Sequence, residues 1–392
     1  MKRIFSLIIL AAFASTSLLI SFATDAEAIP AFARKEGAEC TLCHIGFPKL
    51  NSFGFGYKQR GYRMEDTDGI WVWENPVQFA GMMALGYEYM NKDMNTGTDT
   101  RTVKVKRGEL EFFSSGNLAP KISYFVGFEM EAAPTGSDDE GVAVGDGFVI
   151  LNDVLADSLL NIKVGVYDTS WYWLAGSRKL GMTGYTQTNF GFDGEGIEAN
   201  GILATNTRYQ IGVGNSSVTN TNNSITQVYA VLDQTFEFGG QEQRVGFAFG
   251  SDQVGQDDDN STVTKDVDRT TLIGGSVDLN IPIGEQPLNI MFAYFNKNND
   301  ETNATAAEND WTQIIFEALI PIGDKVIITG RYDNLDYDNI KTGDSEIYTA
   351  SLHYFMAPNV DLIFDYSNTE TYMTEMMKME MDMFMLMFHL GF

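Results

Sequence analysis

From residue 75 to the C-terminus the chain alternates apolar and polar residues with a period of two. Residues 77–89 place Val77, Phe79, Met83, Leu85, Tyr87 and Tyr89 on one parity, with Gln78 and Glu88 on the other. The same pattern sets Ile122, Tyr124, Val126, Phe128 and Met130 against Ser123, Gly127 and Glu129. It returns in Leu288, Ile290, Phe292 and Tyr294, and again in Leu362, Phe364 and Tyr366. A strand with this pattern has one apolar and one polar face. Repeated along a whole chain, it describes strands with lipid on one side and a polar lumen on the other.

The connections alternate as well. Short turns are expected at 116–120, 239–241, 284–287, 322–324 and 357–359. Long polar segments are expected at 91–101, 132–146, 169–188, 251–266 and 296–308. Short turns belong on the periplasmic side of an outer-membrane barrel and long loops on the outside. The pattern gives about sixteen strands, an even number that puts both termini in the periplasm. Residues 199–215 alternate weakly, so fourteen or eighteen strands are also compatible. The expected fold is an all-β, up-and-down transmembrane barrel over residues 75–392, ending on Phe392. A terminal aromatic on an alternating strand resembles the assembly signal of bacterial outer-membrane barrels.

The N-terminus reads differently. Lys2 and Arg3, an apolar run from Ile4 to Ile20, and Ala26-Glu27-Ala28 make residues 1–28 an expected secretory signal. No later stretch has eighteen consecutive apolar residues, so spanning helices are not expected. The net charge of −27 disfavours nucleic acid and anionic surfaces and favours cations. Two cysteines in an exported chain cannot make a disulfide framework.

Those cysteines lie in Cys40-Thr41-Leu42-Cys43-His44, the attachment motif for a c-type haem. Two thiols form thioethers with the haem vinyls, and the next residue presents an imidazole to one axial face of the iron. One covalently bound haem c is therefore expected, with Cys40 and Cys43 as attachment sites and His44 as proximal ligand. Met64 is a candidate distal ligand, and such a thioether would raise the potential. His353 and His389, inward-facing by parity, and a methionine of the last strand between Met377 and Met387 are alternatives. Residues 29–74 are expected to form a small cytochrome c-like plug or cap, too short to bury a haem unaided.

Two further features are secondary. Met377, Met379, Met381, Met383, Met385 and Met387 recur every second residue, opposite Phe384, Leu386 and Phe388. They are expected to line the lumen as adaptable packing. Asp138, Asp139, Glu140, Asp257, Asp258 and Asp259 lie in expected external loops, and Glu88, Glu109, Glu111 and Glu129 are candidates for the lumen. Carboxylate clusters concentrate hard divalent cations, Fe(II) among them. No hydrolase or nucleotide-binding motif occurs in a supporting context.

The N-terminal residues resemble a known family. Pro30-Ala31-Phe32-Ala33-Arg34, Gly37, Cys40-x-x-Cys43-His44, Pro48-x-Leu50-Asn51, Gly54 and Gly61-Tyr62 are similar to the start of the fused monohaem cytochrome–porins of iron-oxidising bacteria. Residues 104–120 also resemble the first hairpin of phosphate-type porins, which bears on fold alone. The resemblance implies an outer-membrane Fe(II) oxidase, an iron:cytochrome c oxidoreductase. It would take single electrons from external Fe(II) and pass them to a periplasmic c-type cytochrome. The residues leave two alternatives open: a conduit for another donor or acceptor, and a diffusion porin with a structural or sensory haem.

Overall fold

The computed structural model describes residues 31–46, 49–64, 71–74, 78–97, 99–130, 142–156, 158–168, 181–186, 193–203, 206–216, 227–254, 268–283, 286–300, 310–338, 342–357, 359–374 and 376–391. The expected signal at 1–28, the carboxylates Asp138, Asp139, Glu140, Asp257, Asp258 and Asp259, and the terminal Phe392 lie outside them.

A small N-terminal unit comes first. It holds helix α1 (Ala31–Glu36), a short hairpin of β1 (His44–Gly46) and β2 (Lys49–Leu50), and helix α2 (Ser52–Gln59). Sixteen strands follow, from β3 (Gln78–Met94) to β18 (Lys378–Gly391). Each pairs antiparallel with its sequence neighbours, and β18 pairs back onto β3 to close the barrel. Closure satisfies every edge, as a sheet in hydrocarbon requires.

Burial follows strand parity. On β14 (Trp311–Ile322), Trp311, Gln313, Ile315, Glu317 and Leu319 are buried, while Ile314, Phe316 and Ile320 are exposed to the surroundings. On β13 (Gln286–Asp300), Met291, Ala293 and Phe295 are buried and Phe292 and Tyr294 exposed. Phe292 and Phe316 face each other across the β13–β14 ladder, a lipid-side aromatic pair of the kind that stabilises sheet register. The methionine row behaves as its parity dictates where β18 is deepest. Met385 and Met387 are buried against Ala84 and Ile363, while Phe384 on the opposite face is exposed.

Two parts of the sequence pattern turn out differently. The segment 91–101 is a tight connection, because pairing continues through Asn91–Arg101 and Lys92–Thr100. Arg101 donates to Asn91 Oδ1 at 3.0 Å, so polar residues extend this hairpin into the aqueous rim. More important, one sector of the lumen is aromatic. Phe125, Phe148, Ile150, Tyr167, Tyr229 and Val231 all point inward, where alternation alone predicts polar residues. The reason is the N-terminal unit, which packs on them and removes them from water.

Candidate functional site

The N-terminal unit sits inside the barrel, against the half of the lumen nearest the short turns. Its anchors are distributed around the wall. Lys49 is buried and donates to Asn289 Oδ1 at 3.2 Å and Glu317 Oε1 at 2.6 Å. Gln59 donates to the carbonyls of Gly201 and Tyr209, beside the turn between β8 (Asp193–Ile202) and β9 (Thr207–Ser216). Arg63 pairs with Asp153 of β6 (Val142–Leu155) at 2.5 Å. Arg208 of β9 returns a bond to the Ser52 carbonyl at 2.7 Å.

Apolar packing complements these bonds. Phe32 stacks on Phe113 with centroids 5.5 Å apart, and Tyr62 stacks on Phe125 at 5.1 Å. Each such pair adds about 0.5–1.5 kcal/mol beyond its buried area. Phe55 projects from α2 towards the guanidinium groups of Arg208 and Arg244, 5.9 and 5.2 Å from its ring centroid. Those two arginines are neutralised by Asp233 and Asp278 across the ladder. A buried charge is tolerated only when so paired.

Gly61 marks the closest approach of plug to wall. A Cβ there would fall 2.0 Å from Ser123 Oγ, and the backbone φ is +77°. Glycine meets both demands at once. Tyr62 follows with φ +59°, a conformation uncommon for a bulky residue, held by its stacking on Phe32 and Phe125.

The Cys40-to-His44 motif is fixed from within the plug. Cys40–Leu42 forms a single 3-10 turn, and His44 opens β1. Asn51 is the organiser. Its carbonyl oxygen caps α2 by accepting from the Gly54 amide at 2.9 Å. Its side-chain NH2 donates to the carbonyls of Thr41 and Leu42 at 3.3 and 3.0 Å, and its own amide donates to the Cys43 carbonyl at 2.9 Å. Gly54 lets the helix lie directly on the motif, since a Cβ there would fall 2.3 Å from the Cys43 carbonyl oxygen. The helices are tied together by Tyr57, whose hydroxyl donates to Glu36 at 2.8 Å. Burial, then the Glu36 carboxylate, pushes that hydroxyl well above the usual phenol range, so it stays a donor.

Thr41 and Leu42 are exposed, and Cys43 and His44 are half-buried. The motif therefore has an uncovered face within the barrel rather than a packed one. A turn that opens on Cys40 and is followed at once by Cys43 and His44 is the order of groups that two thioether bonds and one axial ligand would need. Ile45, next to His44, packs with Leu319, Ile327 and Phe355 on β14 to β16 (Ser345–Ala357).

The other candidates are placed as follows. Met64 packs with Phe32, Phe53 and Phe125 in the aromatic cluster around Tyr57, Tyr62 and Phe148, a different sector of the wall from that holding Ile45. His353 and His389 are both buried in the lumen, joined through Asp361. Glu88 is buried but held by Lys104 and Lys106 at 2.9 and 3.0 Å, so its charge is already compensated. Among the described residues no group of three or more His, Cys, Asp and Glu converges on a metal ion.

A second segment enters the lumen from the long-loop side. Residues 181–186, between β7 (Leu160–Asp168) and β8, bond to the wall through Asp365, Asp333 and Arg331. Tyr185 donates to Glu317 Oε2 at 3.3 Å. Glu317 thus binds the plug with one oxygen and the inserted loop with the other. The sequence placed residues 169–188 as a long loop but not its entry into the lumen, and it did not show the Asn51 clamp, because each depends on contacts far apart in the chain or on backbone geometry.

A family model for the Gram-negative porin matches residues 73–379. No curated protein matches the chain. Solved structures resemble it in fold at low identity. The outer membrane channel DcaP of Acinetobacter baumannii shares 12% identity with a TM-score of 0.58, covering 81% of this chain and 97% of its own. The anion-selective porin from Comamonas acidovorans shares 12% with a TM-score of 0.56, covering 81% and 99%. A loop L8 deletion mutant of OmpT, an outer membrane protein of Vibrio cholerae, shares 14% with a TM-score of 0.55, covering 81% and 99%. The chain belongs to the Gram-negative porin family and is an outer-membrane barrel.

Proposed function

We propose that the chain is an outer-membrane cytochrome–porin that oxidises extracellular Fe(II) and delivers the electron to a periplasmic c-type cytochrome. The observation that carries this reading is the seating of the Cys40-to-His44 motif inside the barrel, with Asn51 clamping it and Lys49 anchoring its hairpin to Glu317. A haem bound at Cys40 and Cys43, with His44 as proximal ligand, supplies reversible one-electron chemistry at this point.

The protein's own contribution is position. Asn51 and Gly54 hold the motif rigid, which keeps the axial imidazole of His44 in one place. The wall residues Leu319, Ile327 and Phe355 exclude water beside Ile45. The short-turn half of the lumen faces the periplasm, so an acceptor there can approach the plug. On the outer side, the acidic balance of the chain raises the local concentration of Fe(II), with Asp138, Asp139, Glu140, Asp257, Asp258 and Asp259 as the candidate attracting residues. Electron transfer needs no general base and no nucleophile, in keeping with a lumen in which Glu317, Glu198 and Asp278 are paired with lysine or arginine.

The test is stopped-flow absorbance of the purified, oxidised protein mixed with anaerobic Fe(II). Appearance of the sharp reduced c-haem bands supports the reading. No reduction by Fe(II), with reduction by dithionite intact, sinks it.

Family membership favours a second reading, a diffusion porin whose haem is structural or sensory. The plug and the inserted loop occupy the lumen from both ends, which argues for the electron-transfer reading over open diffusion.

A further inference from the structure

Resting on that reading, we propose that His353 is the second axial ligand to the haem iron, giving bis-imidazole coordination with His44. Three observations meet at His353. It is 1% exposed, and its Nε2 is buried with no hydrogen-bond partner among the described residues. A nitrogen orphaned in such a place has lost its hydration without compensation unless something else fills it. A ring nitrogen held bare in this way is a metal ligand in waiting.

The other ring nitrogen explains why Nε2 is bare. Nδ1 lies 3.2 Å from Asp361 Oδ2. A carboxylate at Nδ1 keeps the proton there and leaves the Nε2 lone pair outward, the usual arrangement behind a metal-ligating histidine. Coordination would use the Nε2 lone pair, with the Nδ1–H of His353 donated to Asp361 Oδ2. Asp361 is a positioning residue, and His389, whose Nδ1 sits 3.1 Å from Oδ1, shares the same carboxylate.

Location selects His353 over the alternatives. It stands opposite Ile327 on the β15–β16 ladder, with β15 spanning Val326–Tyr337. Ile327 belongs to the cluster that receives Ile45, the residue after His44. Phe355, in the same cluster, lies 6.3 Å from the His353 ring at an interplanar angle of 24°. His389 lies two strands further round, opposite Asp361 and Ala84. Met64 is engaged in the aromatic sector across the lumen. A haem held at Cys40 and Cys43 would lie beside the wall that Ile45 touches, where Phe355 stacks on the His353 ring.

The experiment is electron paramagnetic resonance and visible spectroscopy on the full-length, haem-loaded protein in detergent, with a pyridine haemochrome assay for covalent haem. The oxidised wild type is expected to be six-coordinate and low-spin. His353→Ala should lose that signal and become high-spin, and added imidazole should restore it. His389→Ala should keep the low-spin signal. His353→Met should keep six coordinates but raise the potential and show a thioether charge-transfer band. That variant answers the question if His353→Ala fails to assemble as a heat-modifiable barrel. A wild-type spectrum in His353→Ala, an unchanged spectrum and potential in His353→Met, or a high-spin wild type overturns the proposal while covalent haem is present. Absence of covalent haem from the wild type overturns it together with the reading it rests on.

Discussion

The Lys49 ammonium lies 2.6 Å from Glu317 Oε1, and both side chains are almost wholly buried. This pair joins the N-terminal plug to the middle of β14. Removing one partner leaves a buried charge, which costs about 3–5 kcal/mol, whereas removing both often costs little. Lys49→Ala should therefore loosen the plug, while Lys49→Ala with Glu317→Gln should recover much of the loss. Limited proteolysis of residues 31–64 in the folded barrel measures it. Equal resistance in the single variant and the wild type would show that the pair does not hold the plug.

Gly61 tests the fit at the opposite wall. Its φ of +77° costs a side chain about 1–2 kcal/mol, and its Cβ would sit on Ser123 Oγ. Gly61→Ala should weaken docking by more than the backbone term alone. Adding Ser123→Gly should return most of the steric part, Asn152 Oδ1 still lying 2.9 Å from the new Cβ, and leave the backbone part. A Gly61→Ala variant with wild-type protease resistance would place the plug further from β5 (Ile122–Met130) than described.

Occlusion of the lumen makes a prediction about conductance. Two segments meet at Glu317, one from each end, so the intact barrel should pass little ionic current in a planar bilayer. Deleting residues 31–64 should raise single-channel conductance several-fold, since a barrel of sixteen strands otherwise encloses an aqueous channel. Equal conductance in both would favour the diffusion-porin reading.

The barrel was legible because its outer face has one solvent. Lipid demands apolar residues such as Phe292, Phe316, Phe364 and Phe384 at every second position, so the strands could be read directly, with their number left at sixteen, fourteen or eighteen by the weak alternation of residues 199–215. The inner face has no single solvent, and there the pattern fails. Phe125 and Phe148 point inward because Tyr62 and Phe32 cover that sector, a fact carried by residues roughly a hundred positions away. Parity placed His353 and His389 in the lumen correctly, yet not their shared carboxylate. That depends on the register between β17 (Val360–Tyr372) and β18, which sets Asp361 opposite His389, and on the bulge between Phe355 and Ala357. The motif itself was legible as a motif, but the Asn51 clamp that holds it is a matter of three backbone groups.

The central claim is that the haem-bearing plug carries electrons through the barrel, and proteoliposomes test it most directly. The protein is reconstituted with an oxidised c-type cytochrome enclosed and Fe(II) added outside under anaerobic conditions. The account predicts that the enclosed cytochrome is reduced with the wild type and stays oxidised with Cys40→Ala/Cys43→Ala. Failure of the haem-loaded wild type to reduce it, with the vesicles sealed and the barrel inserted, would contradict the account.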